Sequence, residues 1–169
     1  MLFSSNSGAT WLKQNSGTNR DITCATFIDS DHGWIAGGGT MSSSNTETDA
    51  PLHDAIILHT TNGGNKWLQQ MSGKVLPLKG IAFSDLSNGW AVGGEAGYGC
   101  DQYEVDGTIL HTTNGGIDWI SQPSGTHNCL NAVVFANTRS GWIVGTGGTI
   151  LHVENGSEEA GVKSGKRGK

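Results

Sequence analysis

The sequence predicts an all-β protein built from repeated antiparallel units, and three observations support this prediction. Of the 169 residues, 27 are glycine and only 3 are proline. This composition disfavours helices, because each glycine inside one costs about 1 kcal/mol relative to alanine. The six tryptophans recur at regular intervals. Short apolar runs, each bounded by turn-forming residues, recur with the same period.

The tryptophans fall into two alternating columns. The first column holds Trp11, Trp67 and Trp119, and the second holds Trp34, Trp90 and Trp142, always 23 residues later. A phenylalanine lies seven residues before each second-column tryptophan and a glycine directly precedes it; these are Phe27, Phe83 and Phe135, and Gly33, Gly89 and Gly141. Repetition at 52 to 56 residues is typical of repeat proteins.

Each repeat predicts four strands, which we name A to D in chain order. Strand A is expected at 23–27, 80–84 and 131–135, as the innermost strand, buried on both faces. Strand B is expected at 33–37, 89–93 and 141–145, strand C at 56–60, 108–112 and 149–153, and strand D from each first-column tryptophan onward. Repeated four-stranded meanders are typical of β-propeller blades.

The predicted blades do not complete a ring. We expect a half blade at 1–21 with strands C and D only, blades at 22–72 and 73–125, a partial blade at 126–156, and a disordered basic tail at 157–169. Propellers close with roughly 4–8 blades. Two explanations are open. Either the chain is a fragment of a longer propeller, or its N-terminal strands complete the last blade of a second copy in a six-bladed homodimer.

The turn between strands C and D has the best-defined pattern. Residues 60–67, Thr-Thr-Asn-Gly-Gly-Asn-Lys-Trp, are nearly repeated at 112–119, and 4–11 is a looser copy. A hydroxyl and an Asn side chain can bond turn amides, glycine permits positive φ, and tryptophan covers the turn. We assign structural roles to Thr60, Asn62, Gly64 and Trp67, and to Thr112, Asn114, Gly116 and Trp119.

This turn resembles the Asp-box, or bacterial neuraminidase repeat, with asparagine in the aspartate position. The fuller unit, Ile-Leu-His-Thr-Thr-Asn-Gly-Gly followed by Phe and then Gly-Trp-x-x-Gly, is similar to the repeat of the photosystem II stability and assembly factor propellers over about residues 1–156. The resemblance implies a non-catalytic propeller that docks a protein partner from a membrane-protein assembly. It also favours an extracytoplasmic compartment, which would be the periplasm, the thylakoid lumen or the cell exterior.

Insertions mark the expected binding face, which lies opposite the Asp-box turns. The path from the second-column tryptophan to the isoleucine of strand C takes 23, 19 and 8 residues in successive repeats. The first insertion, 39–53, is polar and expected to be mobile. The second holds both tyrosines and four carboxylates. There we nominate Glu95, Tyr98, Asp101, Tyr103, Glu104 and Asp106 as binding residues. A solvated loop, a protein contact and a Ca²⁺ site are the three interpretations, and the carboxylate spacing does not match an EF-hand.

Charge and composition limit the partners and cofactors. Residues 1–157 carry a net charge of −7, and four basic residues lie in the last seven positions, so the body is a poor nucleic-acid binder. No apolar run approaches the ~20 residues of a membrane-spanning helix. The three cysteines lie at no metal-ligand spacing and leave at least one thiol unpaired. His59, His111 and His152 recur at one position of strand C, which indicates a structural role. Neither a metal nor a cofactor is predicted.

Three functions remain in view. The first is a non-catalytic protein-binding propeller, and the second is an exported or cell-surface structural repeat without a dedicated ligand. The third, a sialidase-type glycoside hydrolase, is suggested by the Asp-box resemblance and implies an arginine triad with a tyrosine nucleophile. Only Arg20 and Arg139 lie in the body and both tyrosines share one loop. We therefore assign no catalytic residue and expect no enzyme.

Overall fold

The computed structural model describes residues 2–41, 52–73, 75–94, 106–154 and 163–164. Within these residues fourteen strands form one two-stranded and three four-stranded antiparallel sheets. The half blade pairs β1 (Leu2–Phe3) with β2 (Leu12–Lys13). None of the described segments is a helix long and apolar enough to cross a bilayer.

The three complete sheets are the blades, and each is a meander whose neighbours in space are neighbours in sequence. Blade 1 consists of β3 (Ile22–Phe27), β4 (Gly33–Met41), β5 (Leu52–Thr60) and β6 (Leu68–Gly73). Blade 2 consists of β7 (Leu78–Phe83), β8 (Gly89–Gly93), β9 (Thr108–Thr112) and β10 (Ile120–Gln122). Blade 3 consists of β11 (Leu130–Phe135), β12 (Ser140–Gly145), β13 (Ile150–Glu154) and β14 (Lys163–Ser164). The predicted all-β fold of propeller blades is confirmed.

An Asp or Asn residue shapes each turn between strands A and B. Asp29 accepts hydrogen bonds from the backbone amides of Asp31 (2.8 Å) and His32 (2.7 Å). Asp85 in blade 2 and Asn137 in blade 3 accept the equivalent amides. Bonds of this kind hold the chain in an Asx turn. The backbone amides of His32 and Asp31 also hold the pKa of Asp29 below its usual value.

The inner strands of the three blades lie side by side, and β7 is in the middle. β7 packs against β3 on one side and β11 on the other. It is buried along almost its whole length, as expected for strand A. β3 and β11 each have one open side and alternate between exposed and covered residues. The expectation that strand A is buried on both faces therefore holds only where a blade lies on each side.

The structure differs from the sequence prediction at two strand ends. Lys163–Ser164, within the predicted disordered tail, pair with β13 as the fourth strand of blade 3. Blade 3 therefore already has strands in its third and fourth positions, and the N-terminal strands of a second copy are not needed to complete it. In blade 1, residues 39–41 and 52–53 of the first insertion extend β4 and β5, which pair continuously as far as Met41 and Leu52.

Aromatic stacks join the blades in the core. Trp34 of blade 1 lies between His59 of its own blade, at a ring-centroid distance of 4.4 Å, and Phe83 of blade 2, at 3.6 Å. Trp90 of blade 2 lies in the same way between His111 (4.3 Å) and Phe135 of blade 3 (4.4 Å). Trp34 and Trp90 therefore each link one blade to the next by packing between a histidine of their own blade and a phenylalanine of the following blade.

Candidate binding face

The turn between strands C and D is held by two side chains that bond backbone amides. In blade 1 the Thr60 hydroxyl accepts the Gly64 amide (2.9 Å) and donates to Asn62 Oδ1 (3.0 Å), which accepts the Lys66 amide (2.9 Å). Gly64 has a φ of 83°, in the left-handed region that a residue with a side chain disfavours. The Trp67 ring lies against this glycine.

Blade 2 repeats this turn almost atom for atom. The Thr112 hydroxyl accepts the Gly116 amide (2.9 Å), and Asn114 Oδ1 accepts the Asp118 amide (2.9 Å). Asn114 Nδ2 also donates to Asp118 Oδ2 at 2.9 Å. Trp119 packs edge-on against Phe83. In the half blade, Ser4 and Asn6 make the corresponding bonds to the amides of Gly8 and Thr10.

These turns lie on one face of the molecule together with the A–B turns. The Gly63 amide donates to the Asp31 carbonyl (3.0 Å), and the Gly115 amide donates to the Ser87 carbonyl (2.8 Å). Gly115 also accepts, at its carbonyl oxygen, Trp34 Nε1 (3.2 Å) and Gln70 Nε2 (2.9 Å) of blade 1. The turn between strands C and D of blade 2 is thus fixed by its own blade and by the preceding one, which indicates a structural face.

The recurrent histidines are part of the strand packing. His59 and His111 stack on the second-column tryptophans of their own blades. Their Nε2 atoms, and Nε1 of Trp67 and Trp119, are buried without a hydrogen-bond partner within the described part of the chain. In blade 3, His152 Nε2 instead lies 2.7 Å from Ser140 Oγ. Burial lowers the pKa of both His59 and His111.

The opposite face carries two carboxylates that occupy the same position in blades 1 and 2. Asp54 forms an ion pair with Arg20, whose guanidinium also donates to the Ala55 carbonyl at 3.4 Å. Asp106 Oδ1 lies 3.1 Å from Nδ1 of His127, and both side chains are exposed. In each pair the basic group comes from a link between two blades.

An open polar cavity of about 490 Å³ lies beside the first of these pairs. Its walls are Asn15 and residues 17–20 of the link into blade 1, together with Ile56 and Gln69 of that blade. The lining is mostly amide, hydroxyl and guanidinium groups, which suit hydrogen bonding to a peptide backbone or a polar side chain.

Of the six nominated binding residues, the structure describes only Asp106. It lies at the base of the second insertion, where the adjacent Gly107 amide donates to the Thr126 carbonyl at 3.0 Å. Glu95, Tyr98, Asp101, Tyr103 and Glu104 lie outside the described residues. Among the described residues, no three His, Cys, Asp or Glu side chains are grouped so that they could hold a metal ion.

Sequence reasoning missed Arg20, Asp54 and His127 as members of this face. The repeat alignment contained one usable signal, because Asp54 and Asp106 stand at the same distance before the Leu-His pair of strand C. Their basic partners come from links of unequal sequence, which a repeat pattern does not align.

The cysteines differ in state. Cys24 is a free thiol, as the odd cysteine count requires of at least one. Its pKa is raised by burial. Cys129 is disulfide-bonded and buried. Cys100, the third cysteine, lies outside the described residues.

Comparison with known proteins identifies the fold. No protein-family model and no curated protein sequence matches the chain. Among solved structures, that of YCF48 bound to D1 peptide matches with a TM-score of 0.60 and 20% sequence identity over 89% of this chain. The match covers 44% of the YCF48 chain, so this chain spans less than half of that protein. YCF48 is a photosystem II assembly factor, and the chain has the fold of a YCF48-like β-propeller.

Proposed function

We propose that the chain is a non-catalytic, protein-binding propeller that docks an extended segment of a partner protein, such as a subunit of a membrane-protein assembly. The observation that carries this proposal is the fold shared with YCF48, whose solved structure contains a D1 peptide. A propeller presents its links on two faces. Here one face is occupied by turns that bond one another, so we assign the partner to the other.

The chemistry of that face supports a peptide ligand. The second insertion brings two tyrosines, which supply large contact areas with few rotatable bonds. Its base is joined to the following link by the hydrogen bond from the Gly107 amide to the Thr126 carbonyl and by the contact of Asp106 with His127. The Arg20–Asp54 pair and the cavity beside it add hydrogen-bonding groups. Because residues 1–157 carry a net charge of −7, we expect the face to prefer neutral or basic peptides over acidic ones.

Peptide titration with a variant pair tests this proposal. Fluorescence anisotropy of a labelled D1 peptide, titrated with the chain, is expected to show saturable binding. The double variant Tyr98→Ser, Tyr103→Ser should weaken that binding at least roughly tenfold, since each buried aromatic anchor is worth about 1 kcal/mol or more. The matched control is Leu86→Ser with Ile117→Ser, two exposed apolar residues on the Asp-box face, which should bind as the parent does.

Two outcomes would overturn the proposal. Equal loss in both double variants would mean that the nominated loop is not the site. A folded chain that binds neither the D1 peptide nor a scrambled basic peptide would favour the structural-repeat function. A catalytic function would be indicated by turnover of a fluorogenic sialoside, and we expect none. Arg20 is already paired with Asp54, and the described residues hold one other arginine, Arg139, short of the triad that a sialidase requires.

We further propose an extracytoplasmic location, in line with the resemblance to exported propellers. The disulfide at Cys129 supports it, because disulfides persist in oxidising compartments. Mass spectrometry of the chain purified from its own cells, alkylated without reduction, should find one modified thiol. That thiol should be Cys24, and it should react more slowly in the folded chain than after unfolding, because it is half-buried and its pKa is raised. Three alkylated cysteines would contradict this location.

A further inference from the structure

The contact between consecutive blades follows a rule that occurs twice inside the chain. The second-column tryptophan of one blade packs on the phenylalanine of the next blade. Trp34 stacks on Phe83 with planes 12° apart, and Trp90 lies against Phe135 with planes tilted by 32°. Around each stack, strands A and B of the first blade pack on strand A of the second. One blade therefore supplies a tryptophan face and its neighbour supplies a phenylalanine face.

Blade 3 presents a tryptophan face without a described neighbour. Trp142 stacks on His152 of its own blade at 4.8 Å. It is 38% exposed, whereas Trp34 is 1% and Trp90 is 2% exposed. Val134, Val144 and Ile150 are exposed on the same blade, while the equivalent residues of blade 2, Ala82, Val92 and Ile109, are buried.

Blade 1 presents the complementary phenylalanine face. Phe27 is 47% exposed, in contrast to 6% for Phe83, and Ile22 is exposed where its equivalent Leu78 is buried. The outer part of blade 1 is covered differently. Its cluster of Ile35, Ile56, Leu58 and Trp67 is buried, and the link after the half blade brings Gln14 next to Gly64. The exposed part of blade 1 is thus its inner strand, β3. The equivalent strands β7 and β11 are the ones on which the preceding blade packs.

We propose that these two faces bind each other between copies of the chain, with the Trp142 face of one copy on the Phe27 face of another. Two exposed apolar faces on the described part of the chain indicate an interaction surface. The two internal blade contacts show which residues of a second copy would fit each face. The interface is heterologous, since each copy contributes a different face, so it produces a closed ring or an open chain of copies.

Docking has one structural consequence for the half blade. β1 and β2 form the half blade that precedes blade 1 in the chain, and the link after them brings Gln14 next to Gly64 of blade 1. β13 and β14 of an arriving blade 3 would take the same outer positions, so docking requires the half blade to move aside. β1 and β2 are joined by two residue pairs, as are β13 and β14.

Charge substitutions on the two faces test the proposal in the full chain. Val144→Asp lies on the tryptophan face and Ile22→Asp on the phenylalanine face, and both positions are exposed, so the fold should tolerate them. The control, Ile117→Asp, places the same charge at an exposed residue of the Asp-box face. In sedimentation velocity at increasing concentration, the parent and the control should self-associate and each face variant should be monomeric.

Mixing the two face variants is the decisive experiment. Each variant keeps one intact face, so an equimolar mixture should form a one-to-one dimer through the intact pair. A parent chain that is monomeric at all concentrations would overturn the proposal, as would association that persists in Val144→Asp or a mixture that stays monomeric. Circular dichroism of each variant separates loss of association from loss of fold. Peptide binding by the monomeric variants tests the proposed function independently, since neither substitution lies at the second insertion.

Discussion

Thr60 and Thr112 are buried hydroxyls that each satisfy a backbone amide four residues later. Valine has nearly the same shape but would leave that amide without a partner, and a buried unpaired donor costs about 1–3 kcal/mol. Asn62 and Asn114 perform the same task for the next pair of amides. The residue identities in this turn are therefore explained by hydrogen bonding, and no ligand is needed to account for them.

The recurrent histidines explain an expected pH dependence. His59 and His111 stack on tryptophans and their pKa values are lowered by burial, with His32 adding to the effect at His59. In the unfolded chain both would titrate at about 6.5. Between that value and the lower folded pKa, the unfolded state binds more protons than the folded state. The free energy of unfolding therefore falls as the pH falls through this range.

We predict that the urea midpoint, followed by tryptophan fluorescence, is lower at pH 5.5 than at pH 7.5. His111→Phe keeps an aromatic ring on Trp90 but cannot be protonated, so it should show a smaller drop than the parent. Ile117→Ser is the control, because Ile117 is an exposed residue that does not titrate, and its drop should equal that of the parent. A midpoint that is unchanged or higher at pH 5.5 would contradict the assignment.

At the scale of the strand, the glycine before each second-column tryptophan packs directly against a phenylalanine ring. A side chain at Gly33, Gly89 or Gly141 would place its first carbon under 3.0 Å from ring carbons of Phe27, Phe83 or Phe135. In blade 2 the ring cannot move away freely, because Trp34 stacks on it. The glycine is therefore required by packing, and not by a turn.

Gly89→Ala should accordingly lower the free energy of unfolding by about 1–3 kcal/mol through overpacking. Gly73→Ala is the matched control, since an added carbon at Gly73 meets nothing within 4 Å, and its effect should stay within about 0.5 kcal/mol. Urea denaturation of both variants measures the difference. Equal stability of the two would show that the phenylalanine ring can shift.

The strands show how far the repeat pattern predicts structure. Residues 89–93 and 108–112 were predicted as strands and are β8 and β9, because glycine, tryptophan and apolar residues mark both the ends and the interior. β14 was not predicted, since Lys163–Ser164 belong to no repeat and form a strand through their pairing with β13. The exposure of β3 was also missed, because it depends on which blades lie beside it and not on the strand's own residues.

At the scale of the whole molecule, the sequence predicts the fold more completely than it predicts the site. The fold follows from a pattern that occurs three times, so each repeat checks the others. The proposed site rests on features that occur once, such as Tyr98 and Tyr103, and on pairs such as Arg20–Asp54 that unite distant segments. The Arg20–Asp54 pair could be found only from three-dimensional contacts. The assignment of Tyr98 and Tyr103 still rests on the composition of their loop.

The ring of Phe83 lies against Gly89 of its own strand pair and Trp34 of the preceding blade. Three residues from two blades thus share one volume, and a change in the size of any of them must be matched by the others. In related repeats we expect these positions to change together, so that a blade with a residue larger than glycine before its tryptophan carries a smaller residue in place of phenylalanine. In an alignment of such repeats, this covariation would identify which residues form the contact between two blades.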